Sequence, residues 1–308
     1  MSQLLKFIPD LDISLSKIVS ILTEESNWGL NFIDVQSAWK HTKGSNVKIA
    51  VIDTGWWPHK DLVGNFVQGF DATGNNDIND HGNFHSCHVC GIIAAKSEDQ
   101  SFGVTGVAPE SKLISIKALD DSGSGSYDYI ISALKIAKDL DVDVINMSLG
   151  TPVQPDNDGL HNIIKEVAEL GKIIICAAGN DGGEVNYPAK FDEVIAVAAT
   201  DSSGQLARFS SKGPELDTAA PGTDIYSTWG NNQYIKLSGT SMACPMIAGI
   251  VSLIVSFFKS QNRSDQINCK NILRILQEMG NKDGSQIIQT NEYTIGVPKF
   301  CNYDWTND

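Results

Sequence analysis

The chain has 308 residues, 42% of them apolar, and 23 basic against 37 acidic residues give a formal charge of −14. That length suits one large domain or two small ones with a sizeable core. The charge argues against nucleic-acid or anionic-membrane partners. The longest apolar stretch, residues 246–258, is too short to span a bilayer, and residues 1–11 lack the basic-then-apolar pattern of a signal peptide.

Residues 1–25 read as an N-terminal extension, with helical spacing of apolar residues over 13–22. Strands are expected at 47–52, 112–119, 142–147, 172–178 and 194–199. Helices are expected at 85–95, 126–140, 158–170, 241–258 and 267–279. Asp158 is a candidate helix cap, and Pro245 falls in the first turn of its helix. The strands are continuous apolar runs and alternate with helices. That pattern implies a three-layer α/β/α fold with a mostly parallel central sheet covered on both faces. Residues 26–308 form one domain on this reading, with a poorly defined segment at 280–308.

The chemistry concentrates in three places. Ser241, in Gly239-Thr240-Ser241-Met242-Ala243, opens a long apolar helix, where backbone N–H groups favour developing negative charge. Read alone, the same serine is a helix N-cap. Asp53 ends an apolar strand at the carboxyl edge of the sheet, where sites of open α/β folds gather. Between them lies His85-Ser86-Cys87-His88-Val89-Cys90-Gly91. A serine hydroxyl needs a base within hydrogen-bond reach, and the base needs an orienting carboxylate. Zinc on His85, Cys87, His88 and Cys90 is disfavoured, because the two pairs face differently on one helix. Asn180, at the end of the strand over 172–178, can donate its amide to an oxyanion.

These residues resemble a subtilisin-family serine protease, and more narrowly an intracellular subtilisin. The order Asp53, His85, Ser241 matches the family's, and the resemblance runs from about Trp28 to Phe258. Val89 and Gly91 anchor the histidine motif, so His85 is the base and His88 the structural histidine. His81-Gly82-Asn83 only copies the motif's start. The resemblance implies an Asp-His-Ser serine endopeptidase of broad specificity that acts on polypeptides, with Asn180 and the Ser241 N–H as oxyanion donors. It places the substrate strand between Gly123-Ser124-Gly125-Ser126-Tyr127 and Ser148-Leu149-Gly150. Calcium is the implied ion, with Asp61 as ligand and Glu24, Asp99, Phe102 and Val104 as partners. No organic cofactor is implied.

Lys6-Phe7-Ile8-Pro9 resembles the short extension of intracellular subtilisins, which implies a segment lying in the cleft, a cytoplasmic location and a homodimer. Ser86, Cys87, Cys90, Cys244 and Met246 depart from the family pattern. Six cysteines without a disulfide-scaffold spacing fit a reducing compartment, with Cys87 or Cys90 and Cys244 as the candidate pair for a disulfide where their helices meet. An inactive peptide-binding scaffold is the alternative function. An α/β-hydrolase esterase is disfavoured by the order of the three residues and by the lack of a Gly-x-Ser-x-Gly elbow.

Overall fold

The apolar runs of the sequence become strands of a parallel sheet. The computed structural model describes residues 4–8, 27–97, 103–156, 158–282, 287–289 and 294–305. The expected helix at 13–22 and Pro9 lie outside them. The chain opens with β1 (Leu5–Lys6), α1 (Trp28–Phe32), α2 (Val35–Trp39), β2 (Lys48–Asp53), β3 (Phe66–Asp71) and α3 (His85–Ala94). Then come β4 (Lys112–Lys117), β5 (Ser124–Gly125), α4 (Tyr127–Asp139), β6 (Val144–Met147), α5 (Gly159–Glu169), β7 (Ile173–Ala177), β8 (Ile195–Thr200) and β9 (Thr218–Pro221). The hairpin β10 (Ile225–Trp229) and β11 (Gln233–Leu237) precedes α6 (Thr240–Ser260), α7 (Cys269–Asn281), β12 (Ile287–Gln289) and β13 (Thr294–Gly296).

Among the described residues, seven strands form the sheet in the order β3-β4-β2-β6-β7-β8-β9, all parallel. Successive side chains of a strand point to opposite faces. Ile49 and Val51 therefore join an apolar cluster with α3 and α6, while Ala50 and Ile52 join another with α4 and α5. Burial on both faces is why the strands read as continuous runs. This is the three-layer α/β/α architecture.

Helix α6 has 21 residues and is long and apolar enough to cross a membrane, but its apolar window is wholly buried inside the protein. It is the core helix of the domain. Because α6 starts at Thr240, Pro245 is its sixth residue and not part of the first turn. Proline has no N–H, so the carbonyl of Ser241, four residues earlier, loses its helical partner. Asp158 occupies the N-cap of α5 but makes no capping bond, whereas Ser126 caps α4 by accepting from the Tyr129 N–H.

Close packing sets the position of α3. A Cβ on Gly91 would lie 2.2 Å from the hydroxyls of Ser227 and Thr228, so only glycine lets the hairpin approach this closely. Segment 294–305 also has a definite place. The Phe300 N–H bonds the Ile33 carbonyl at 2.9 Å, and Trp305 stacks on His41 and Phe300.

Candidate active site

Three strand ends supply one edge of the site. Asp53 closes β2, Ser148 follows β6, and Asn180 follows β7, all at the carboxyl edge of the sheet. His85 is the first residue of α3 and Ser241 the second of α6, and these two helices pack together.

Asp53 is fully buried and His85 is 1% exposed. The His85 Nδ1 lies 2.9 and 3.0 Å from the two carboxylate oxygens of Asp53. An ionised carboxylate only accepts, so Nδ1 carries the proton and Nε2 keeps its lone pair. That Nε2 is buried and accepts nothing among the described residues. The Thr54 N–H donates to Asp53 Oδ1 at 2.7 Å and fixes the carboxylate. The Ser241 hydroxyl donates to the Ser148 carbonyl at 3.1 Å, turned away from the imidazole.

Asn180 has its amide orientation imposed on it. Both the Thr240 N–H, at 2.7 Å, and the Thr240 hydroxyl, at 3.0 Å, meet its Oδ1. The Thr240 oxygen in turn accepts the Gly179 N–H at 3.1 Å. With both donors on the oxygen, the NH2 must face the other way.

The neighbouring histidines have other partners. His88 bonds the carbonyls of Ile225 and Ile235 at 3.1 and 3.2 Å, holding the hairpin, and burial pushes its imidazole down to about 3. His81 sits on an exposed loop against Asp77 at 2.5 Å, which raises its pKa. Burial pushes the Cys87 thiol up to about 12 and the Cys90 thiol higher still. All six cysteines are free. The Cys244 thiol donates to Asn146 Oδ1 at 3.3 Å, so the expected pairing with Cys87 or Cys90 is not made.

The two flanking segments hold part of the chain itself. β1 pairs antiparallel with β5, setting Leu5 opposite Gly125 and Lys6 opposite Ser124. The N–H groups of Phe7 and Ile8 donate to the Gly123 carbonyl, and the Gly150 N–H donates to the Phe7 carbonyl at 3.0 Å. Residues 5–8 therefore run between the two backbone edges, like a third strand. The Phe7 ring meets Tyr127 edge-on at 5.6 Å, is 2% exposed, and packs in the cluster that contains Leu149. The Tyr127 hydroxyl bonds the Val153 carbonyl, and burial raises its pKa.

Of the expected cation ligands, Glu24, Asp99 and Phe102 lie outside the described residues. Asp61 is buried, and its Oδ2 accepts the Val104 N–H at 3.0 Å and the Tyr234 hydroxyl at 2.8 Å. Among the described residues Oδ1 accepts no hydrogen bond. The Val104 carbonyl accepts the Ser97 N–H at 3.2 Å. No group of three or more His, Cys, Asp or Glu side chains gathers among the described residues.

A family model described as the subtilase family matches residues 44–279. The chain belongs to the subtilase family. This subtilase is 38% identical over 251 residues to thermitase of Thermoactinomyces vulgaris, a match covering 78% of the chain and 89% of thermitase. It is 40% identical over 242 residues to the major intracellular serine protease of Bacillus subtilis, covering 74% of the chain and 75% of that protein. It is also 40% identical over 245 residues to the minor extracellular protease Epr of the same species, covering 77% of the chain but only 37% of Epr. Thr54 and Thr240, whose bonds orient Asp53 and Asn180, escape a reading by motif. Their one sequence signal is a hydroxyl beside a catalytic candidate.

Proposed function

We propose that this subtilase is a serine endopeptidase with Asp53, His85 and Ser241 as its catalytic triad, held latent by its own N-terminal segment. The observation that carries the activity is the buried Asp53–His85 pair with an unspent Nε2, on a helix packed against the one that bears Ser241. A turn about the serine side chain takes its hydroxyl from the Ser148 carbonyl to Nε2. His85 then accepts the proton as Ser241 attacks the scissile carbonyl, and Asp53 stabilises the imidazolium. The Asn180 NH2 and the Ser241 N–H, at the start of α6, receive the oxyanion. His85 returns its proton to the leaving amine, and water hydrolyses the acyl-enzyme with the same groups.

A polypeptide substrate would lie where residues 5–8 lie, bonded by backbone to Gly123–Gly125 and Gly150. Main-chain pairing gives affinity with little regard to sequence, which supports broad specificity. A small fluorophosphonate tests the chemistry. It labels the full chain, and Ser241→Ala abolishes labelling. Absence of labelling in a folded chain that starts at residue 27 would favour a peptide-binding scaffold instead. Latency is tested by comparing peptide hydrolysis by the full chain and by a chain starting at residue 27. Equal rates would end that part of the proposal.

A structural calcium held by Asp61 Oδ1, with Glu24, Asp99 and the carbonyls of Phe102 and Val104, extends the same reading. A fall in the unfolding temperature on adding a chelator, reversed by calcium, is the expected result. Cytoplasmic residence follows the relative named intracellular, and a homodimer follows the likeness to intracellular subtilisins. Cell fractionation and sedimentation test these two.

A further inference from the structure

A fourth buried polar residue stands behind the Asp53–His85 pair. Asp80 is fully buried on the loop before α3. Its Oδ1 accepts the N–H groups of Gly82 at 3.0 Å and Asn83 at 2.8 Å. Its Oδ2 accepts the Phe84 N–H at 2.8 Å and the Thr54 hydroxyl at 2.7 Å. Phe84 occupies the N-cap of helix α3 with a left-handed backbone and offers no capping bond, and the first N–H, of His85, meets Asn83 Oδ1 only at 3.3 Å. The next N–H is capped from across the site, where Thr54 Oγ1 accepts the Ser86 N–H at 3.2 Å.

A hydroxyl has one proton, so accepting from Ser86 and donating to Asp80 fixes its direction. Thr54 therefore joins three things at one point. Its N–H orients Asp53, its oxygen anchors the helix that begins with His85, and its proton belongs to Asp80. The Thr54 carbonyl, in addition, accepts the ammonium of buried Lys117 at 2.6 Å.

We propose that Asp80 is a positioning residue for the hydrolytic reaction, acting through Thr54 to hold the imidazole of His85 against the carboxylate of Asp53. The proposal rests on the triad reading above. Asp80 touches neither substrate nor reacting atoms. Its charge also favours the imidazolium that forms on His85 during proton transfer. Burial pushes the Asp80 carboxyl up, against its bonds from Thr54, Gly82 and Asn83 and the charge of Lys117. The titratable and charged groups facing this assembly are Asp53, His85, His88, Cys87, Lys117 and Asp121.

The test is the rate at which a small alkyl fluorophosphonate labels Ser241 in the full chain, followed against pH and scaled to the folded fraction. The acid limb of that profile reports protonation of His85. Asp80→Asn removes the charge and places a donor against donors. We expect labelling to slow by about 10–100-fold, a typical cost for a misplaced catalytic group, and the acid limb to move to lower pH. Thr54→Val slows it similarly. Thr54→Ser, which keeps the hydroxyl, stays within about threefold of the parent, as expected for a retained hydrogen bond. A folded Asp80→Asn protein with the parent's rate and acid limb overturns the proposal. If that variant does not fold, Thr54→Val labelling as fast as Thr54→Ser overturns it. Undiminished labelling of Ser241→Ala would instead remove the triad reading beneath it.

Discussion

The imidazole half and the hydroxyl half of the site are held in different ways. Asp53 and His85 share two contacts of 2.9 and 3.0 Å, Thr54 pins the carboxylate, and α3 is tied down at its first turn. Ser241 rests on one bond of 3.1 Å to Ser148, on a helix whose Pro245 leaves the Ser241 carbonyl without its helical donor. On the proposed triad, the acid–base pair is preset and the nucleophile is the part that would turn. A single neutral hydrogen bond is worth about 1 kcal/mol net, so the turn is easily driven by a bound substrate.

Breaking the preset half has the largest effect. Asp53→Asn keeps the shape but lets the imidazole take the wrong tautomer, and kcat for peptide hydrolysis falls by roughly 10⁴ in the released enzyme. A loss below tenfold would show that the pair is not the working acid–base unit. On the other half, Asn180→Leu removes the amide that Thr240 aims. The expected cost is about 10²–10³ in kcat with KM little changed, the range seen for such a donor in a subtilisin relative. A rise in KM alone would make Asn180 a binding residue.

The cleft itself gives a smaller effect of opposite sign. Phe7→Ala in the full chain deletes an aromatic ring buried against Tyr127, and truncating such a ring costs about 3 kcal/mol. Peptide hydrolysis rises by about 10²-fold if that energy holds the segment in place. Unchanged activity would place the latch elsewhere.

His88 has the least effect on activity and separates stability from chemistry. Burial holds its folded imidazole neutral down to about 3. The unfolded chain binds that proton below its usual pKa of about 6.5. Its contribution is therefore complete above that pH and is lost as pH falls toward 3, by about 1.4 kcal/mol per unit. Urea midpoints across this window should fall for the parent and fall less steeply for His88→Gln.

Much of this was legible in the chain because it depends on local pattern. Strands buried on both faces show as apolar runs, and Asp53, His85 and Asn180 each sit where such a run stops or a helix starts. β3 was not, because it is an edge strand in which Val67 and Gln68 are exposed. The hairpin β10–β11 takes its place from contacts with Gly91 and His88 far away in the chain. Asp80 was hidden for the same reason. It reaches Thr54 because the chain at 78–80 crosses at Gly55, whose positive φ and missing Cβ admit the Ile78 carbonyl. No spacing in the sequence announces that crossing.

The strand formed by residues 5–8 is tethered to the groove it fills. A covalent tether of this kind gives an effective concentration on the order of millimolar, whatever the amount of protein in solution. If the proposed latency holds, dilution would not relieve it, and a competing peptide would have to overcome that local excess. On the proposed latency, a single cut between residues 8 and 27 would convert the occupant into a free peptide, so the passage from dormant to active would run in one direction.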